Sequence, residues 1–214
     1  MGRHRKNTCS KDWKLNRRIY EDSLTEDGFN YEHFYNGVNY CTPALTLEKH
    51  NHYDECIKYL NTGEKWLDIG CGCGYILKNA INDGIEPYGI DVVDESVKMA
   101  TQNGIKAIKC SACESYPYDD EYFDFITAID VLEHLLIDDV SKALKEIYRV
   151  LKPGKHLLFA SCPGDPDNLR ADDDWKRYFH LTYQSVEKWQ QLYEEHNFIF
   201  VKETSHYGVL LRKE

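Results

Sequence analysis

Three glycines at alternate positions, close behind an acidic residue, form the part of this sequence best suited to chemistry. Gly70, Gly72 and Gly74 follow Asp68 within the run WLDIGCGCGY at residues 66–75. Glycine permits a tight turn and lets the backbone approach a ligand closely, and the start of the helix that follows offers free N–H groups. The pattern therefore predicts a pocket for a nucleotide-like ligand.

Three alternate glycines also occur by chance, so the pattern needs support from its surroundings. A second acidic residue provides that support. Asp91 ends the next apolar segment, 17 residues after Gly74, where a carboxylate can accept hydrogen bonds from both hydroxyls of a ribose. A dinucleotide-binding turn has the pattern G-x-G-x-x-G, whereas here the third glycine comes one residue early and Tyr75 takes the sixth place. Asp68 is not part of that pattern either. The turn thus differs from the fingerprint of hydride-transfer enzymes.

Short apolar runs alternate with amphipathic stretches from about residue 65 onward, as in βα units stacked into a parallel sheet. We predict strands at 65–69, 87–91, 105–110, 125–129 and 156–160, with a final pair at 198–202 and 208–211. Predicted helices cover 75–82, 95–103, 138–151 and 185–196, and Pro153 with Gly154 ends the third of them. The predicted fold class is α/β, with a doubly wound sheet.

Several segments of this chain resemble the class I, seven-strand, Rossmann-like methyltransferases that use S-adenosylmethionine. The segments are WLDIGCGCGY (66–75), YGID (88–91), the connection 114–124, DVLEHL (130–135) and IYRVLKPG (147–154). DVLEHL is typical of the small-molecule branch of this family. The resemblance covers about residues 65–211. It implies the sheet order 3-2-1-4-5-7-6 with the seventh strand antiparallel, and S-adenosyl-L-methionine as the cofactor across the carboxyl ends of strands 1 and 2.

The same resemblance assigns a cofactor-binding role to a defined set of residues. Asp68 and the loop from Gly70 to Gly74 would hold the methionine part, Asp91 the ribose, and Val92 the adenine. The full set is Asp68, Gly70, Cys71, Gly72, Gly74, Asp91, Val92, Ala112, Cys113, Asp130 and Val131. Ala112 departs from the family, which commonly has an acid there near the adenine amino group, so this chain loses one possible hydrogen bond of about 1 kcal/mol.

Two histidines are the candidate catalytic residues. His134 follows the fourth strand, and His180 precedes the last predicted helix. Either imidazole can take a proton from an acceptor hydroxyl or amine near neutral pH, while the alternative for each is a purely structural role. We expect the acceptor to be enclosed by the aromatic segment 29–40, the connection that contains His134, and the region 170–183.

The acceptor predicted from the sequence is a small molecule. A sugar or other glycan precursor is possible, because the tail from Phe179 to Phe198 looks like those of glycan-associated members of the family. Two alternatives stay open. The chain can methylate a protein or RNA and dock it through its basic arm, or it can be a donor-binding subunit without activity of its own.

Two groups of residues suggest a metal site as an alternative or an addition to the cofactor pocket. Cys71, Cys73, Cys110 and Cys113 form two close pairs of the kind that bind zinc. Carboxylates at 130, 133, 138 and 139 offer a magnesium site of the kind some O-methyltransferases use. Buried thiols are common near ligand pockets, and acidic residues favour the start of a helix, so we expect no resident metal.

Length and charge limit the remaining possibilities. The 214 residues suit one domain, which we divide into an N-terminal arm with a helical cover at 1–55 and a methyltransferase domain at 56–214. The net charge is -10, although residues 1–20 carry +6, and an acidic body argues against nucleic acid as a partner. No stretch is apolar enough for a membrane span and no export signal follows the basic start, so we expect a cytoplasmic protein.

Overall fold

The computed structural model describes residues 13–26, 28–37, 50–161, 180–182, 184–204 and 207–214. Its main feature is a sheet of seven strands. In chain order these are β3 (Lys65–Ile69), β4 (Glu86–Asp91), β5 (Lys106–Lys109), β6 (Phe123–Ile129), β7 (Leu151–Ala160), β8 (Phe198–Glu203) and β9 (Gly208–Lys213). A separate pair, β1 (Leu24–Thr25) and β2 (Gly28–Phe29), forms a short hairpin.

The order of strands across the sheet is β5-β4-β3-β6-β7-β9-β8. The five strands from β3 to β7 are parallel, and β9 runs antiparallel to both of its neighbours. Counted from β3, this is the predicted order 3-2-1-4-5-7-6 with an antiparallel seventh strand. The predicted fold class is therefore confirmed. All five parallel strands present their carboxyl ends at one edge, which is where ligands bind in open α/β sheets.

Helices cover both faces of this sheet. They are α1 (Trp13–Ser23), α2 (Tyr31–Gly37), α3 (His50–Cys56), α4 (Tyr75–Ala80), α5 (Asp94–Gln102), α6 (Ile137–Val150) and α7 (Val186–Glu195), with 3-10 turns at Ile57–Tyr59 and Leu132–His134. The apolar positions of α6 at helical spacing are all buried, as the pattern predicts. Ser185 caps α7, its hydroxyl accepting a hydrogen bond from the backbone N–H of Lys188 at 3.3 Å.

Two local predictions were wrong. Leu151 begins β7 instead of ending α6, and the strand continues through Pro153. The pairing jumps from Leu151 opposite Phe123 to His156 opposite Phe125, so the residues between them bulge out of the ladder. The short hairpin of β1 and β2 lies in the N-terminal region, where we expected no strand. Such a small ladder leaves no periodic pattern in the sequence.

The apolar core lies in two layers, one on each face of the sheet. The N-terminal aromatic residues belong to the first layer, where Phe29 packs against Tyr20, Tyr31 and Phe34 with ring centroids 5.1 to 5.5 Å apart. This packing places α2 against the sheet edge that carries the carboxyl ends. No helix in the described parts of the chain has the length and apolarity needed to cross a bilayer.

Candidate functional site

The turn after β3 is a backbone cradle that only glycine can form. Gly70, Gly72 and Gly74 all have left-handed backbone conformations, with φ of +63°, +53° and +76°. A Cβ atom on Gly70 would lie 2.5 Å from Cγ2 of Val131, and one on Gly74 would lie 2.7 Å from a side-chain carbon of Ile105. Side chains are therefore excluded at both places by conformation and by space.

Asp91 holds this cradle in position. One carboxylate oxygen accepts a hydrogen bond from the backbone N–H of Gly72 at 2.8 Å, and the other accepts one from that of Val93 at 2.9 Å. A carboxylate oxygen has two lone pairs and can accept more than one hydrogen bond. An oriented carboxylate beside a glycine cradle fits the ribose and methionine parts of S-adenosylmethionine.

A cavity opens beside the cradle, and seven of the predicted site residues line it. These are Gly70, Asp91, Val92, Ala112, Asp130, Val131 and His134. Six further lining residues were absent from the predicted set: Tyr31, Tyr35, Val93, Cys110, Ser111 and Leu135. Three of the six, Val93, Ser111 and Leu135, directly adjoin predicted residues in the sequence, which was a usable signal. The two tyrosines come from the aromatic segment expected to enclose the acceptor.

The other predicted site residues lie around this cavity without lining it. Gly72 and Gly74 shape the cradle. Cys71 is buried with its sulfur toward Gly89, where a Cβ atom would come within 2.6 Å of Sγ. Cys113 lies beside Ser111, with 3.2 Å between Sγ and Oγ. The cofactor-binding roles of these residues stay predictions.

Asp68 is fully buried beneath the cradle, and a chain of hydrogen bonds holds it. The hydroxyl of Thr127 donates to Oδ1 of Asp68 at 2.6 Å and accepts from the indole N–H of Trp66 at 3.0 Å. Because β3 and β6 pair with Asp68 opposite Thr127, the register of the sheet creates this contact. Asp68 thus links β3 to β6 through a buried hydrogen bond, and its contact with the methionine part of the donor stays a prediction.

Replacing Thr127 by Val tests the hydrogen-bonded chain. The variant removes the hydroxyl but keeps the shape, so a buried carboxyl group and a buried indole N–H both lose a partner. We expect the free energy of unfolding to fall by about 2 kcal/mol in urea titration. Thr127→Ser keeps the hydroxyl and should lose about 1 kcal/mol or less. Equal losses in the two variants would contradict the role given to the hydrogen bonds.

Helix α2 forms the roof of the cavity, and Tyr31 fastens it. The Tyr31 hydroxyl donates to Oδ2 of Asp139 at 2.7 Å and accepts from the backbone N–H of Leu136 at 2.9 Å. Burial raises the pKa of Tyr31 well above its usual value, so the hydroxyl stays protonated as this geometry requires. The roof is thus tied to the start of α6, next to His134.

Tyr31→Phe should loosen this roof. The variant keeps the ring but removes both hydrogen bonds, so we expect a loss of about 1 to 2 kcal/mol in unfolding free energy. Release of S-adenosylhomocysteine, followed by stopped-flow fluorescence, should become faster. Asp139→Asn should show part of the same effect. Asp138→Asn is the matched control, because Asp138 is exposed and adjacent, and it should behave as wild type.

Both predicted catalytic histidines meet at one end of the cavity. The rings of His134 and His180 are 5.0 Å apart in an edge-to-face arrangement, and the ring of Tyr35 lies 6.0 Å from that of His134. Thr182 fastens this segment to the turn after β6, because its N–H donates to the carbonyl of Glu133 and its hydroxyl donates to that of Leu135. Residues 38–40, 170–179 and 183 of the predicted enclosure lie outside the described residues.

One group of side chains here has the spacing of metal ligands. Single ligand atoms of Glu133, His134 and His180 all lie within 4.8 Å of one another. In the described parts of the chain this is the only such group, so the cysteine pairs and Asp138 with Asp139 do not form one. Burial raises the pKa of Cys110 to about 11 and also raises that of Cys113, which keeps both thiols protonated.

Comparison with known proteins finds similarity to methyltransferases over part of the chain. Residues 67–159 match the family described as "Methyltransferase domain". A ubiquinone biosynthesis O-methyltransferase of Alkalilimnicola ehrlichii is 28% identical over 136 residues, which cover 60% of this chain and 54% of that protein. The human "Probable tRNA methyltransferase 9B" is 37% identical over 97 residues, which cover 45% of this chain and 21% of that protein. The chain thus spans about half or less of these relatives.

A solved structure has the same fold over most of the chain. The protein of Thermotoga maritima described as an S-adenosylmethionine-dependent methyltransferase, possible histamine N-methyltransferase, superimposes with a TM-score of 0.60. The match covers 86% of this chain and 98% of that one, at 20% identity. At this identity the likeness concerns the fold.

Proposed function

We propose that this chain, in which residues 67–159 match a methyltransferase domain, transfers a methyl group from S-adenosylmethionine to a small-molecule acceptor. One observation carries the proposal. The glycine cradle with Asp91, which suits the donor, and the pair Tyr35 and His134, which suits an acceptor, line a single cavity.

When bound, S-adenosylmethionine supplies a methyl group on a sulfonium, which is already a good leaving group. The chain itself then needs to hold, align and enclose the reactants. Asp91 and the cradle hold one side, while Tyr31 and Tyr35 of α2 keep water out. His134 accepts the proton that an acceptor hydroxyl or amine loses, with His180 as the second candidate for that step.

The shape of the cavity under α2 supports the proposal that the acceptor is a small molecule. Its aromatic walls suit a molecule that enters and is enclosed, as in most ligand pockets, more than a polymer that lies across a surface. The net charge of -10 also disfavours a polyanion. A sugar or other glycan precursor remains our proposed example.

Methylation of RNA or protein is the second candidate. The human relative named as a probable tRNA methyltransferase favours it, and so does the charge of +6 on residues 1–20. The third candidate is a donor-binding subunit without activity of its own. We also propose that residues 1–55 serve as arm and cover, and that residues 56–214 form the methyltransferase domain.

A screen with labelled donor separates these candidates. Purified protein is incubated with S-adenosylmethionine labelled in the methyl group and with the metabolite, RNA and protein fractions of a cell extract. We expect label in the metabolite fraction. Label in RNA or protein alone would contradict the small-molecule proposal. The donor is tested separately by calorimetry, where affinity for NAD but none for S-adenosylhomocysteine would contradict the proposed donor.

Asp91→Ala should weaken donor binding strongly. The variant removes hydrogen bonds to a charged group, which are worth about 1.5 to 3 kcal/mol, so the Kd for S-adenosylhomocysteine should rise about 10- to 150-fold. Asp94→Ala removes a carboxylate three residues away that pairs with Lys109 at the surface, and it should leave Kd within about twofold. Equal Kd values for Asp91→Ala and wild type would place the ribose elsewhere.

A further inference from the structure

A second cavity, of about 220 Å³, lies beside the donor pocket at the same edge of the sheet. It is bounded by the end of β7, by α7, by the end of β8 with Thr204, and by Tyr207 with the start of β9. The two sites are close, because the backbone N–H of Asp130 in the first cavity donates to the carbonyl of Ala160, the residue before Ser161 in the second. Their lining residues are nevertheless different.

Three buried polar atoms in the walls of this second cavity have no hydrogen-bond partner among the residues that the structure describes. They are the hydroxyl oxygens of Ser161 and Thr204 and the indole nitrogen of Trp189. Ser161 is 4% exposed and Trp189 is 5% exposed. An unsatisfied buried polar group costs about 1 to 3 kcal/mol of folding free energy. Three such groups around one cavity therefore favour a ligand that supplies hydrogen-bond partners.

The remaining walls are mostly apolar and aromatic. Phe159 and Trp189 pack with ring centroids 5.1 Å apart, and Tyr193 and Tyr207 add two more rings to the lining. An apolar protein cavity of about 150 Å³ is large enough to admit benzene. This cavity therefore has room for one ring with small substituents.

Charge and hydrogen-bonding capacity narrow the class of ligand. The indole N–H only donates, so it needs an acceptor oxygen, whereas the two hydroxyls can donate or accept. Glu203 is the only charged residue among the described residues of the lining, which disfavours an anion. We propose that this cavity is a second small-molecule site, which binds a neutral ring compound carrying hydroxyl or carbonyl groups. The inference goes beyond methyl transfer and does not require it.

The test uses three ring compounds and calorimetry on the full chain. The neutral form of 4-hydroxyacetophenone has a ring and two oxygen groups, toluene lacks the oxygens, and 4-hydroxybenzoate is an anion. We expect 4-hydroxyacetophenone to bind at least about tenfold more tightly than the other two. A wild-type protein that does not bind it would overturn the proposal, since water alone would then satisfy the three polar atoms.

Variants locate the bound compound. Trp189→Phe keeps an aromatic wall but removes the N–H, so it should weaken 4-hydroxyacetophenone about fivefold or more and leave toluene unchanged. Trp66→Phe is the matched control, because its indole N–H already bonds Thr127, and it should not change affinity for the compound. Ser161→Ala and Thr204→Val should each weaken binding without lowering the melting temperature. Wild-type affinity in all three cavity variants would overturn the proposal.

Discussion

His134→Ala is expected to lower kcat about 100-fold or more while the Kd for S-adenosylhomocysteine stays within about twofold, as for loss of a general base. His134 lines the same cavity as the donor cradle, but nothing in the geometry makes it part of that cradle. The loss should therefore appear in turnover and not in donor binding. Turnover is measured with labelled donor and the acceptor fraction that the wild-type protein methylates.

Two further variants make this result specific. His33→Ala removes an exposed histidine from α2, and it should retain wild-type turnover. His180→Ala should reduce kcat less than His134→Ala, because His180 is outside the cavity lining and contacts it through His134. Wild-type kcat in the His134→Ala variant would remove it as the base. A larger loss for His180→Ala would transfer that role to His180.

Gly70→Ala is expected to cost about 2 to 5 kcal/mol of unfolding free energy and to abolish measurable donor binding. A left-handed conformation costs an L-residue about 1 to 2 kcal/mol, and overpacking adds about 1 to 3 kcal/mol. The overpacking follows from the 2.5 Å approach of the new Cβ to Val131. Urea titration and calorimetry with S-adenosylhomocysteine measure the two effects.

Gly72 provides the matched control for this variant. Its φ of +53° is also left-handed, but nothing lies within 4 Å of an added Cβ. Gly72→Ala should therefore show only the conformational cost of about 1 to 2 kcal/mol. Adding Val131→Ala to Gly70→Ala should restore part of the lost stability, and a strictly additive double variant would exclude the contact with Val131 as the cause.

The fold and the glycine turn that borders the cavity were predictable from the sequence. The succession of strands and helices along the chain, the glycine turn and the placement of Asp91 at a strand end follow from short-range patterns. These patterns are apolar periodicity, residues that allow positive φ, and an acid at the end of a strand. Family resemblance added the order of the sheet. Local bounds such as the start of β7 were missed, because a bulge depends on how two strands pair.

The long-range contacts around the cavity were decided by tertiary structure. Tyr31 bonds Asp139, 108 residues further along the chain, and Asp68 bonds Thr127, 59 residues away. His134 and His180 meet because Thr182 ties a distant segment to the turn after β6. The second cavity likewise combines Ser161, Trp189 and Thr204 from separate elements. Contacts of this kind depend on how helices and strands pack across the sheet. The periodicity of the sequence shows only which side of an element is buried, and it does not show which residue of another element will contact it.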